Sequence, residues 1–350
     1  MSSYEAAGVS IEAGELAVEL MKSSIAKATR PEVMGGIGGF AGLFDASALK
    51  KFNRPLLATS TDGVGTKTEI ARALGKYDTI GEDLVAMVVD DLVVCGAEPL
   101  FLTDYIAVGK VIPERIAEIV GGIARGCAWS RTALIGGETA EHPQLLKEDE
   151  FDLAAAATGV VEHEKLLGEH LVKVGDIAIA IESSGVHANG FSLVRHILKN
   201  AKLDLNKNVA ELGTTLGEAL LVPTTIYAPT LLDLIADTEV HAMAHITGGG
   251  LAANTARVMP KELQLTMDRS TWALPELFKF LAAEGQVEQP DLERTFNCGV
   301  GMVLLVPPGS VDATIARLTA KGFRSWASGE VVHAQNAPGG VALEGKYRTL

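Results

Sequence analysis

Behind Ser10, the residues Ala13, Leu16, Ala17, Leu20, Met21 and Ile25 return every three or four positions, which predicts a helix capped by Ser10 and running to about Ala28. The same period predicts helices over 79–95, stopped by Gly96, and from Pro113 to about Trp129. Short apolar runs predict strands at 56–60, 100–108, 133–135, 151–161, 177–181, 241–246 and 300–306. Further helices are expected after the turn at 183–190, over 225–236 with an interruption at Pro229, from Gly250 to Val258, and over 311–321. Strands and helices alternate in irregular order, which is the mixed α/β class. The charged stretch at 162–176 marks a boundary between an N-terminal domain, 1–170, and a C-terminal domain, 171–350.

At 350 residues, with 47% hydrophobic and 21% charged positions, the chain has material for two globular domains. Its net charge of −14 and lack of basic runs exclude a cationic nucleic-acid surface. Cys95, Cys127 and Cys298 are far apart among apolar neighbours, the pattern of buried thiols in a reducing cytoplasm. No secretory signal and no membrane span are expected.

Candidate chemistry begins at STDGVGTKTE, 60–69. It is not a P-loop, because Thr66 separates Gly65 from Lys67 and Thr61 stands where the first glycine belongs. Asp62, at the end of an apolar strand, reads instead as an oxygen ligand for Mg²⁺. Asp90 and Asp91 interrupt an apolar helix. Seven residues put Asp83 and Asp90 on one face, with Asp91 turned about 100° away. A buried carboxylate requires a cation or strong donors, so at least one of these acids should meet a polar cleft. Glu138 follows Gly136-Gly137 at the end of a predicted short strand and repeats the arrangement of Asp62, with Glu141 and His142 just beyond. The loop at 30–44 is dense in glycine. Its Gly36-x-Gly38-x-x-Ala41 pattern lacks the strand and helix that a dinucleotide fold requires. In the second half, Ser183-Ser184-Gly185-Val186-His187-Ala188-Asn189-Gly190 and Thr247-Gly248-Gly249-Gly250 each place polar groups or bare backbone before a helix, where anions are bound.

Taken in order, RPEVMGGIGGFAGLF, TDGVGTK, DTIGEDLVAM, GAEPLF, GGETAE, SSGVHANGFSLVR, HITGGG and ERTFNCGVGM resemble the motifs of the AIR synthetase (phosphoribosylformylglycinamidine cyclo-ligase) family, within the PurM-like ATP-binding superfamily. The resemblance spans roughly 4–329. It implies a two-domain α/β fold with mixed sheets, a homodimer joined through the N-terminal sheets, and ATP-dependent closure of formylglycinamidine ribonucleotide to aminoimidazole ribonucleotide. It further implies Mg²⁺–ATP at Asp62, Asp91 and Glu138, with Asp62 and His187 as catalytic groups. Lys22, Lys67 and the loop glycines Gly35, Gly36, Gly38 and Gly39 would serve the nucleotide. Ser184, His187, Asn189 and Thr247 with Gly248, Gly249 and Gly250 would hold the substrate. A K⁺ requirement stays open, as does the choice of metal ligand between Asp90 and Asp91. The chain departs from the family at Asp90, where asparagine is usual, at His142-Pro143-Gln144 after GGETAE, and at Ala188, where serine is usual. Thiamine-monophosphate kinase is a rival of similar size that ERTFNCGVGM and SSGVHANGFSLVR fit poorly. A nucleotide-binding subunit without turnover is the rival from another class.

Overall fold

The computed structural model describes residues 10–36, 39–335 and 337–349. By contact, the chain divides into one compact unit of Met1–Leu92 with Ala97–Glu164 and a second of Val93–Gly96 with Lys165–Leu350.

In the first unit, Ser10 caps α1 (Ile11–Ile25), its Oγ accepting the Ala13 N–H at 3.2 Å. A small antiparallel pair, β1 (Val33–Met34) and β2 (Leu43–Phe44), forms the neck of the glycine-rich stretch, where the sequence predicts neither helix nor strand. There follow β3 (Pro55–Gly63), α2 (Lys67–Leu74), α3 (Ile80–Val93), β4 (Glu98–Val108), α4 (Pro113–Trp129), β5 (Ala133–Glu141) and β6 (Phe151–Glu162). The long strands form one sheet in the order β3-β6-β4-β5, antiparallel except for β4 beside β5. Period-2 alternation buries Leu102, Ile106, Leu153, Ala155 and Ala157 on one face and leaves Leu57 and Tyr105 exposed on the other. Helices α3 and α4 cross in direct backbone contact. A Cβ on Gly81 would lie 2.3 Å from the Ile123 nitrogen, and one on Gly126 would lie 2.8 Å from Val85 Cβ.

Two elements differ from the sequence reading in a way that matters. Strand β5 does not end at Ile135; parallel pairing with β4 carries it through Gly136 and Gly137 to Glu141. The helix read at 225–236 starts three residues later, and Pro229 stands in its first turn, where a missing N–H costs nothing.

The second unit contains β7 (Ile177–Glu182), α5 (Phe191–Asn200), the pair β8 (Asn208–Val209) and β9 (Thr214–Thr215), α6 (Leu216–Leu221), α7 (Ala228–Ile235), β10 (Ala242–His245), α8 (Gly250–Ala256), β11 (Leu263–Asp268), α9 (Glu276–Gly285), α10 (Gln289–Thr295), β12 (Val300–Val306), α11 (Val311–Ala320), β13 (Ser325–His333) and β14 (Val341–Glu344). Its sheet runs β10-β12-β7-β13-β11-β14, antiparallel until the final parallel pair. Every residue of β12 is buried, as befits a strand covered on both faces. The mixed α/β class holds in both units. Among the described residues, no helix is long and apolar enough to cross a membrane.

Candidate functional site

In the first unit, strand register decides which acids can meet. Asp62 pairs with Ala155, Ala155 with Asp104, and Asp104 with Gly137, so these four positions share the helix-covered face. Asp91, on α3, reaches down to Ser60, with its Oδ2 3.5 Å from the Ser60 hydroxyl. Ser60 and Asp62 are two apart in β3, about 7 Å along one face. Asp62 and Asp91 are therefore neighbours. Glu138 is not. It pairs with Tyr105 and emerges on the opposite, open face. The expected trio of Asp62, Asp91 and Glu138 does not converge, because a continuous β5 alternates where a strand-end turn would not. Among the described residues, no group of three His, Cys, Asp or Glu side chains could hold a metal. Asp83 and Asp90 do share a face, and both are fully buried.

Asp104 is a carboxyl that the sequence reading passed over. It sits beside Gly137, where an added Cβ would lie 2.2 Å from its Oδ1, and burial pushes it up to about 7.

Lys67 requires a correction. A nucleotide-phosphate role does not fit its position, for its side chain is wholly buried and its Nζ donates to Asp83 Oδ1 at 2.8 Å. Burial pulls the ammonium below its usual range, and Asp83 partly restores it. The pair instead fixes the turn that follows Asp62. Lys22 is exposed on α1 and pairs with Glu19. Gly35, Gly36 and Gly39 are described and exposed, with open space around the first two; Gly38 lies outside the described residues. The neck below them is held by Arg30, which donates to the carbonyls of Pro99 (3.0 Å) and Arg131 (3.1 Å) and to Glu98 (2.9 Å). Glu141 is also structural, accepting the N–H groups of Val111 at 2.6 Å and Ser10 at 3.1 Å. His142 meets the Tyr105 hydroxyl at 3.0 Å.

In the second unit, the two polar turns come together. A Cβ on Gly248 would lie 3.4 Å from Asn189 Oδ1. His187 is buried with a left-handed φ of 63°, and its Nε2 accepts the Ser184 N–H at 3.2 Å, which leaves the ring proton to Nδ1. Left-handed backbone is costly away from glycine and gathers at functional sites. Ser184 Oγ donates to the Pro223 carbonyl at 2.7 Å. Asn254 holds the Thr247–Gly250 turn, its Nδ2 donating to the carbonyls of Thr247 (3.2 Å), Gly248 (3.1 Å) and Gly250 (2.9 Å). The His187 ring rests near Tyr227, centroids 6.2 Å apart, and Tyr227 donates its hydroxyl to the Glu182 carbonyl at 2.8 Å. Sequence reasoning missed Asn254 and Tyr227, which have meaning only through these contacts.

Known proteins resemble this chain over nearly its whole length. Residues 44–161 match the AIR synthase related protein, N-terminal domain, and residues 173–338 match its C-terminal domain. The chain is 52% identical over 330 residues to the phosphoribosylformylglycinamidine cyclo-ligase of Desulfitobacterium hafniense (strain DSM 10664 / DCB-2), covering 94% of this chain and 96% of that protein. It is 47% identical over 329 residues to the enzyme of the same name from Lachnospira eligens, with the same coverage. Among solved structures, thiamine-monophosphate kinase from Stenotrophomonas maltophilia K279a superposes with a TM-score of 0.67 at 18% identity, over 95% of this chain and 96% of that one. HypE of E. coli, a hydrogenase maturation protein, gives 0.67 at 18%, over 96% and 95%. At that identity the two structures speak for the fold alone. Motif order, two-unit architecture and identity over nearly the whole length agree: the chain belongs to the AIR synthase related protein family.

Proposed function

We propose that this chain is a phosphoribosylformylglycinamidine cyclo-ligase, converting formylglycinamidine ribonucleotide and ATP to aminoimidazole ribonucleotide, ADP and phosphate in purine biosynthesis. The observation that carries the reading is 52% identity across 94% of the chain to a protein of that name. An amide oxygen is a poor leaving group. Transfer of the γ-phosphoryl group to it makes a good one, and the substrate's own nitrogen then closes the five-membered ring as phosphate departs. Holding that nitrogen against the carbon supplies much of the acceleration.

Mg²⁺ fits the first unit, because Asp62 and Asp91 on one face provide the one or two carboxylates it takes beside phosphate oxygens. When bound, the ion would neutralise charge on the transferring phosphoryl group. Asp62 and Asp91 would hold it, with Lys22 and the Gly35–Gly39 stretch serving ATP; Glu138, on the open face, is left out of that set. In the second unit, Ser184, His187, Asn189 and the Thr247–Gly250 turn would bind and orient the nucleotide substrate. The 1–170 domain would thus be the ATP-binding and dimerising half and 171–350 the substrate half.

The test is ADP formation by the purified protein with Mg-ATP, with and without formylglycinamidine ribonucleotide. Substrate-dependent ADP with imidazole product is expected, reduced about 100-fold or more in Asp62→Asn. ATP binding without turnover on this substrate would reject the reading, and thiamine monophosphate would then be tried.

The open sheet face, with Leu57 65% and Tyr105 42% exposed, supports a homodimer joined through the N-terminal sheets. Sedimentation is expected to give twice the 36.7 kDa chain mass, and Tyr105→Asp to shift it toward the monomer. A wild-type monomer at micromolar concentration would refute this.

A further inference from the structure

The segment Glu293–Gly299 touches both polar turns of the second unit at once. A Cβ on Gly250 would lie 1.8 Å from the Glu293 carbonyl oxygen, and one on Gly190 would lie 2.5 Å from Cε1 of Phe296. Each turn thus packs closely on one short stretch, Gly250 against its backbone and Gly190 against the Phe296 ring. That stretch is itself anchored. The Glu293 carboxylate accepts two bonds from Arg269, each 2.7 Å, one from Gln289 at 2.9 Å and one from the Tyr347 hydroxyl at 2.9 Å. Cys298, next to the anchor, has a left-handed φ of 49°, so both the turn and its support carry strained backbone.

Asn297 is where the two join. It is 3% exposed. Its Oδ1 accepts from the Ser183 hydroxyl at 3.0 Å and the Gly299 N–H at 2.9 Å, while its Nδ2 donates to the Gly185 carbonyl at 2.9 Å. One amide thereby fixes residues 183 and 185, on both sides of Ser184, whose N–H meets His187. An aspartate has the same shape but no donor, and would set a carboxylate oxygen against the Gly185 carbonyl. Serine or alanine would reach neither partner.

We infer that Asn297 is a positioning residue for the nucleotide substrate, acting through the Ser183–Gly190 turn without touching substrate itself. This rests on the substrate role proposed for that turn. Asn297→Asp keeps two of the three bonds and reverses the third. Its KM for formylglycinamidine ribonucleotide is expected to rise about tenfold, the scale of one buried hydrogen bond, with KM for ATP within about twofold of wild type. Ser183→Ala, which keeps the Asn297–Gly185 bond but removes the hydroxyl that Ser183 shares between Asn297 Oδ1 and the Gly185 carbonyl, 3.0 Å each, is expected to raise the same KM about threefold. A purely structural role would lower the melting temperature or the active fraction and leave both KM values unchanged. That result in Asn297→Asp, beside an active wild type, would overturn the inference and leave the proposed reaction standing. Should Asn297→Asp not fold, an unchanged KM in Ser183→Ala overturns it equally. A wild type that turns over no substrate would remove the proposed reaction and this inference together.

Discussion

Lys67→Met is expected to destabilise the protein by about 3–5 kcal/mol, the usual cost of removing one member of a buried ion pair. Both side chains have no exposed surface, and their separation is 2.8 Å, so solvent could not replace the lost cation beside Asp83. The charge-free double variant Lys67→Met/Asp83→Leu should recover most of that loss, because two desolvated charges gain little over apolar groups of similar volume. Urea unfolding of the four corners of this cycle measures the difference. A single variant within about 1 kcal/mol of wild type would show that Lys67 is not buried as described. The pair links the first turn of α2 to the first turn of α3, between Asp62 and Asp91 in the chain. Even the double variant, once stable, is therefore expected to lose activity if the pair sets the spacing of those acids.

Gly301→Ala should damage the proposed substrate site of the second unit through a single methyl. Strand β12 shifts register between Val300 and Met302, so Gly301 is the extra residue of a bulge. A Cβ there would lie 2.0 Å from the Tyr227 hydroxyl and 2.7 Å from Cε1 of His187. Neither ring has room to retreat, since Tyr227 and His187 are each 1% exposed. Overpacking of this kind costs about 1–3 kcal/mol. Displacing His187 by about 1 Å would lower kcat/KM roughly 100-fold. Thermal melting and steady-state kinetics test the two parts separately, and near-normal kinetics would remove His187 from the reaction.

How much of this was legible in the sequence depended on whether a residue's meaning is local. Helix α4 follows from Pro113 at its start and a clean 3.6 period, and β12 from seven apolar residues in a row. Strand β13 escaped because Ala327-Ser328-Gly329-Glu330 breaks its alternation, whereas β11 alternates cleanly over Leu263–Asp268 and was simply passed over. Asp62 and the Asp90-Asp91 pair stood out because acids in apolar runs demand an explanation, and Asp91 meets Ser60 on the strand face that also carries Asp62. Glu138 was misplaced by the same logic. Two glycines look like a strand's end, yet pairing with β4 overrides their propensity and turns Glu138 to the far side. Lys67 looked like a phosphate ligand because it stands in a glycine turn, and only the fold shows Asp83 waiting for it. Asn254 and Asn297 carry no local signal at all. An asparagine that braces a turn across seven or more than a hundred residues resembles any other asparagine until the chain is folded.

The stretch that supports both turns has a consequence for how such a protein could change over generations. Gly190 and Gly250 lie 60 positions apart, yet the space each leaves is filled from the same short stretch, by the Phe296 ring and the Glu293 carbonyl. A lineage exploring new substrates could not remodel one turn freely, because a shift in the shared neighbour is transmitted to the other. Successful retargeting would travel as a three-part inheritance of 183–190, 247–250 and 293–299, exchanged together or not at all.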